Sequence, residues 1–308
     1  MANQVLPLKV PSTIDQWKAE MAQLGMAGET VFKTTLLSFE SASKMKYEQY
    51  LLLRILRVTN VAFNLADYGL AAYVLQADQA LQQYQSWQDY LTSLTAPGFY
   101  DGVFTLVKRE QERCAEIRNR PAADEQIVNG ALIFFLNGLN IKTPANHDWT
   151  IARREFTAQF GTRSYTARID GLMVDHGLQK KPRAIVEVKK TTRQIGARAI
   201  RMQEGAEFVS WMLSDVEMAR RRRDRFVLVA QDRHLVYIIF AKYGNAYLNY
   251  LRGTGSAEEL TSAFMTLTEE GPWDVTQKNH MEQLGQILEA IRLRAEDDGA
   301  HDRLAAGL

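Results

Sequence analysis

The sequence predicts a mixed α/β protein in which a central run of elements, ordered α-β-β-β-α-β-β, is flanked by helical segments on both sides. Three observations predict it. "DEQIVNGALIFFLNGLNI" has the length and apolar spacing of a helix, with acids in its first turn, where the helix dipole favours them. "KPRAIVEVKKT" is a short apolar strand begun after Pro182. "QIGARAIRMQEGAEFVSWMLSD" then returns to helical periodicity, with Ile195, Ala199, Met202, Ala206, Val209 and Leu213 forming one stripe.

The elements follow in order. Residues 1–120 read as a helical N-terminal region. "DQWKAEMAQLGM" places Trp17, Met21 and Leu24 at helical spacing, and "YEQYLLLRILRVTNVAFNLADYGLAAYVLQADQALQQYQSWQDYLTSL" is rich in Leu, Ala and Gln with few breakers. A charged helix, "FTLVKREQERCAEIRNR", ends at Pro121, which opens a second region, residues 121–308. Within it "WTIARREFTAQFG" and "SYTARIDGLMVDHG" read as two strands joined at Gly161-Thr162, the second interrupted at Asp170-Gly171. "RFVLVAQDRHLVYIIFAKYG" reads as a hairpin turning near Asp232-Arg233. "SAEELTSAFMTLTEEG" and "VTQKNHMEQLGQILEAIRLRAEDD" read as C-terminal helices, with a frayed tail after Glu296.

Composition narrows the function classes. With 308 residues, 46% hydrophobic and 24% charged, the chain has material for a sizeable core. Its one cysteine, Cys114, excludes an internal disulfide and a cysteine-based zinc site, and its five histidines show no metal-ligand spacing. No secretory signal and no apolar stretch of ~18 residues is visible, so the expectation is a cytoplasmic or nuclear protein without a membrane partner. The net charge of +1 hides a segregation: 19 Lys and Arg against 10 Asp and Glu lie between Ile151 and Lys242. Such a basic region suits a phosphate backbone.

One constellation carries chemistry. In the strand of Ala184–Lys190, period-two alternation sends Glu187 and Lys189 to one face and Val186 and Val188 to the other. A charged pair on an apolar strand is costly unless partnered, and a divalent cation on Glu187 offsets that cost. Asp170, 17 residues upstream where a strand meets Gly171, is placed by a hairpin to converge with Glu187. Asp170, Glu187 and the main-chain carbonyl of Val188 then form a half-shell of hard oxygens suited to Mg²⁺, with Mn²⁺ as a substitute.

Asp170 with "EVK" at Glu187–Lys189 resembles the motif of the PD-(D/E)xK nuclease superfamily, and in detail the chain is similar to nuclease-like proteins of filamentous fungi, from about Glu125 through "GPWDVTQKNH" to Ala290. Ile169 stands where the motif name carries proline. The resemblance implies a restriction-endonuclease-like αβββαβ core with a mixed central sheet, and Mg²⁺-dependent hydrolysis of DNA or RNA phosphodiesters. Asp170, Glu187 and Lys189 are the implied catalytic residues. The resemblance also implies a glutamate on the first core helix, matched by Glu125, assisting metal binding, and a glutamine on the helix after the lysine. Gln203 and Glu204 compete for the latter place. At about 100° per residue, Gln203 lies about 85° from the centre of the apolar stripe and Glu204 about 175°, facing solvent, so Gln203 is preferred.

Arg220, Arg221, Arg222 and Arg223 read three ways: a phosphate-gripping loop, an import signal, or a solvated helix end complementing the dipole. Lys190, Arg193, Arg198 and Arg201 extend the same expected nucleic-acid surface. A different class of function is open as well: a catalytically inactive, nuclease-derived module that binds nucleic acid or protein. In either case the N-terminal helices offer a surface for self-association or a protein partner.

Overall fold

The computed structural model describes residues 9–59, 63–96, 102–116, 122, 124–140, 146–175, 181–194, 196–256 and 258–306. Ile195 and Pro121 lie outside the described residues. In chain order the elements are α1 (Ile14–Gln23), α2 (Tyr47–Leu52), β1 (Ile55–Thr59), α3 (Ala71–Gln82), α4 (Gln85–Ser93), α5 (Val103–Ala115), α6 (Glu125–Asn140), β2 (His147–Thr150), β3 (Arg154–Phe160), β4 (Arg163–Ile169), β5 (Gly171–Asp175), β6 (Pro182–Lys189), α7 (Ala197–Ser214), α8 (Val216–Arg221), β7 (Val227–Asp232), β8 (Leu235–Tyr243), α9 (Asn245–Arg252), β9 (Met265–Asp274) and α10 (Lys278–Ala306). The architecture is mixed α/β.

Seven strands form one mixed sheet in the order β1-β9-β8-β7-β6-β5-β2, while β3 and β4 pair apart as a ribbon. The pairs β1/β9 and β6/β7 are parallel; the other neighbours are antiparallel. Alternation along β6 divides the core. Ile185 joins a cluster with the ribbon residues Phe156 and Tyr165 and with Phe208 and Val209 of α7. Ala184, Val186 and Val188 join the opposite cluster with Val128 and Leu132 of α6 and Leu284 and Ile287 of α10. Helix α7 therefore lies between the sheet and the ribbon, which explains why most of its circumference is buried. The β7–β8 hairpin turns through Arg233, at φ 61°, whose amide donates to the Lys189 carbonyl at 2.8 Å and so closes the end of β6.

Three expectations about the flanks are corrected. The N-terminal region is not purely helical: "ILRVT" forms β1, held in the sheet by β9 more than 200 residues away. Both hydrophobic clusters draw residues from each side of position 120. "MTLTEEGPWD" is strand β9, not helix, since its Met-Thr-Leu-Thr alternation buries Met265 and Leu267. Beyond Glu296 the chain stays helical to Ala306, because Asp298 pairs with Arg222 at 2.9 Å and Asp302 with Arg183 at 2.9 Å and Arg222 at 2.8 Å. Among the described residues no helix is long and apolar enough to cross a membrane.

Candidate active site

Asp170 sits in the break between β4 and β5, and four contacts hold it. Its amide donates to the Val186 carbonyl at 3.0 Å, continuing the ladder to β6. Its carbonyl accepts from Asn129 Nδ2 of α6 at 3.0 Å, and its Oδ2 accepts from the Val188 amide at 3.2 Å. Arg153 places a guanidinium nitrogen 3.1 Å from Oδ1. The next residue must be glycine for a packing reason: a Cβ on Gly171 would stand 2.7 Å from the Thr150 carbonyl oxygen. N–H and C=O of a strand residue leave the same edge of the strand. The Val188 amide meets Asp170, so the Val188 carbonyl lies on that edge too.

Glu187 and Lys189 both face α7, as period-two alternation requires. Glu187 is 3% exposed. Its Oε1 accepts from Lys189 Nζ and from Gln203 Nε2, while its Oε2 is buried without a hydrogen-bond partner among the described residues. Burial pushes the Glu187 carboxyl up to about 8; the Lys189 ammonium pulls it down only in part, and Asp170 adds to the rise. For Lys189 the balance is the reverse. Burial alone lowers an ammonium, but the carboxylates of Glu187, Glu207 and Glu125 outweigh it and hold Lys189 firmly protonated.

Helix α7 contributes more than its glutamine. Gln203 Nε2 bridges Glu187 and Glu207, donating to Glu207 Oε1 at 2.9 Å. Glu207 is fully buried, its Oε2 has no hydrogen-bond partner among the described residues, and burial together with Glu187 raises its carboxyl well above the ordinary range. Sequence reasoning missed Glu207. The signal was present, since residues i and i+4 of a helix share a face and Glu207 follows Gln203 by four. Glu125 opens α6, one turn before Asn129, and is close enough for its charge to act on Lys189.

Other expectations are corrected. Glu204 does not face solvent but is 0% exposed, because the side chains of Arg57 and Arg193 close over that side of α7. It meets Arg57 at 2.6 Å and Arg193 at 2.5 Å. Arg193 is likewise no surface contact for nucleic acid. It is buried over the Tyr237 ring, and it pairs with Asp232 and Glu269, each at 2.8 Å. Arg201 is tied to Glu269 at 2.9 Å, and the Arg198 guanidinium lies 5.2 Å from the Tyr47 ring centre. Lys190 is exposed just past the end of β6.

The cluster Arg220–Arg223 stands at the wrong end of the sheet. Since β7 runs parallel to β6, with Leu228 level with Ile185 and Asp232 with Lys189, the residues before Val227 lie at least about 13 Å from Lys189, at ~3.3 Å per residue. Arg222 is taken up by Asp298 and Asp302, and Arg220 lies 3.5 Å from Glu217.

The chain matches no protein-family model and no curated protein. The donor chemistry therefore has to speak for itself. Among the described residues no three His, Cys, Asp or Glu side chains converge as a ready-made ion cage. The hard-oxygen set is smaller: Asp170, Glu187 with its unpartnered Oε2, and the Val188 carbonyl edge. That set fits Mg²⁺, which commonly takes one or two carboxylates and completes its shell with water and phosphate oxygens.

Proposed function

We propose that the chain is a Mg²⁺-dependent nuclease of the PD-(D/E)xK type, with Mn²⁺ able to substitute, hydrolysing phosphodiester bonds of DNA or RNA. The observation that carries this reading is Glu187: a buried carboxylate with one oxygen held by Lys189 and Gln203, the other without a hydrogen-bond partner among the described residues, and near enough to Asp170 to feel its charge. Support for a restriction-endonuclease-like core comes from the succession α6, β2, β5, β6, α7, β7, in which β2-β5-β6 is an antiparallel meander and β7 returns parallel to β6. On this reading the β3–β4 ribbon is an insertion between the first two core strands.

Asp170, Glu187 and the Val188 carbonyl would hold the ion, with Glu125 assisting. The ion's chemistry there is Lewis acidity toward a phosphate oxygen and acidification of water. The protein's own groups do the rest. Lys189, kept as an ammonium by its acidic neighbours, donates rather than accepts, orienting the attacking water and offsetting negative charge as it builds on the phosphate. Gln203 fixes the Glu187 carboxylate, and Glu207 fixes the Gln203 amide. The Val188 amide fixes Asp170.

The test is incubation of purified protein with labelled single- and double-stranded DNA and RNA, with and without Mg²⁺ or Mn²⁺. Asp170→Ala and Lys189→Ala are expected to abolish cleavage while keeping the wild-type circular dichroism spectrum. Wild-type-like cleavage by both variants sinks the reading. Absence of cleavage together with a silent calorimetric titration with both metals points to the inactive binding module.

A further inference from the structure

Between the β3–β4 ribbon and a 3₁₀ turn at Ala42–Lys44 lies a groove of about 190 Å³, lined by Ser41, Ala42, Ser43, Thr166, Arg168 and Gln203. Its lining holds three hydroxyls, one amide and one guanidinium, and no carboxylate. Arg168 and Thr166 project from the outer face of the ribbon, opposite Glu155 and Thr157 across the ladder. No ion pair joins Arg168 to Glu155, and Arg168 has no ion-pair partner among the described residues. Most other arginines around α7 are engaged: Arg57, Arg193 and Arg201 with Glu204 or Glu269, and Arg153 with Asp170.

Gln203 joins this groove to the carboxylates. Its amide holds Glu187 and Glu207, and its partly exposed side forms part of the groove lining. A polyanionic strand brought to Asp170, Glu187 and Glu207 is repelled by them unless cations and neutral donors receive its neighbouring phosphates. The groove places both there. Guanidinium forks and side-chain hydroxyls are the usual partners of backbone phosphates.

We propose that this groove seats the backbone phosphate next to the one under attack, with Arg168 as its counter-cation and Ser41, Ser43 and Thr166 as hydroxyl donors. The proposal rests on the nuclease reading for the neighbouring site. It moves the phosphate grip from Arg220–Arg223 to the ribbon, on the same side of the sheet as Glu187.

The test uses Lys189→Ala protein, which binds without turnover on the nuclease reading, and a fluorescent single-stranded oligonucleotide. Adding Arg168→Ala is expected to weaken binding about tenfold at moderate salt and to lower the salt slope by about one. Arg168→Lys recovers part of the loss, and inorganic phosphate competes with the oligonucleotide only when Arg168 is present. Unchanged affinity and salt slope in Arg168→Glu overturn the proposal. So does binding of inorganic phosphate alone, or no oligonucleotide binding by the parent protein. The two readings fail separately. Wild-type protein that cleaves nothing but loses binding with Arg168→Ala removes the nuclease and keeps the groove. Wild-type protein that cleaves with a KM indifferent to Arg168→Ala removes the groove and keeps the nuclease.

Discussion

Helix α7 serves two adjacent charged clusters, and they are built on different terms. In the first, Arg57, Arg193 and Arg201 face Glu204, Glu269 and Asp232, three cations and three acids, and each touches at least one opposite charge at 2.5–2.9 Å. Burial would raise the Glu269 carboxyl, but Arg57, Arg201 and Arg193 hold it far below the ordinary range. In the second, the cations that pair with Asp170, Glu187 and Glu207 among the described residues are Lys189 and the partly exposed Arg153. Glu207 has no ion-pair partner among the described residues, and both glutamates are pushed up by burial. The first cluster balances three acids with three guanidinium groups, which suits a structural role, although burial still lifts its Asp232 carboxyl to about 7. The second carries a surplus of buried carboxylate, which suits a group that accepts a cation from outside.

Four measurements break or sharpen this comparison. The largest effect belongs to the first cluster. Glu204→Ala strips Arg57 and Arg193 of a fully buried partner, and urea unfolding should show a loss of about 3–5 kcal/mol. A loss within about 0.5 kcal/mol of zero, the range of surface substitutions, would erase the distinction between the clusters.

Glu187→Gln should act in the opposite direction on stability while abolishing cleavage. With a folded pKa of about 8 against an ordinary 4.5, Glu187 holds a proton in the folded state that the unfolded chain has released between those values. Its contribution to stability is therefore complete below about pH 4.5 and is lost as pH rises toward 8. Glutamine does not titrate, so its stability advantage over wild type should grow from pH 5 to pH 8. Denaturant midpoints at the two pH values check this, and a constant difference contradicts it.

Glu207→Gln keeps the shape and removes the charge. Partners that orient a metal ligand typically matter 10–100-fold, so activity at limiting Mg²⁺ should fall by roughly tenfold and recover partly at high Mg²⁺. A Mg²⁺ titration of initial rates reads this. Equal curves for variant and wild type would leave Glu207 a purely structural acid.

The smallest effect belongs to the far end of β6. Asp302→Ala removes a partly exposed partner of Arg183 and Arg222, and Arg183 retains Asp175 at 3.3 Å. About 1 kcal/mol or less should be lost, with cleavage unchanged. A fall in cleavage would tie that arginine end to the reaction.

The legible parts of the protein were those written in short-range periodicity. Alternation along "IVEVK" put Glu187 and Lys189 together on one face, and the Asp170-Gly171 interruption marked the end of β4. Helical angle selected Gln203 over Glu204 as the residue that reaches Glu187. The same angle misjudged Glu204, because a stripe of apolar residues marks only the best-buried face, and α7 is enclosed by strands and ribbon on several sides. Strand β1 was hidden in a leucine-rich run that suits a helix equally well. Its extended form is selected by parallel pairing with β9. The charge excess between Ile151 and Lys242 was real as a count, but arginine letters do not reveal which guanidinium groups are already paired.

By itself, then, the sequence determined that an acid and a lysine share one face of a central strand, just downstream of an acid at a strand break. Those facts depend on backbone geometry over a few residues, which any extended segment must obey. Helical spacing put Glu207 on the face of Gln203; tertiary structure decided that this face meets Glu187, that Arg57, Arg193, Glu204 and Glu269 neutralise one another, and that Arg168 stands beside Gln203 with no ion-pair partner among the described residues. Those outcomes depend on which charges the fold brings together, as Arg57 meets Glu204 147 residues along the chain and Arg193 meets Glu269 76 residues along, and on how deeply the meeting place is withdrawn from water.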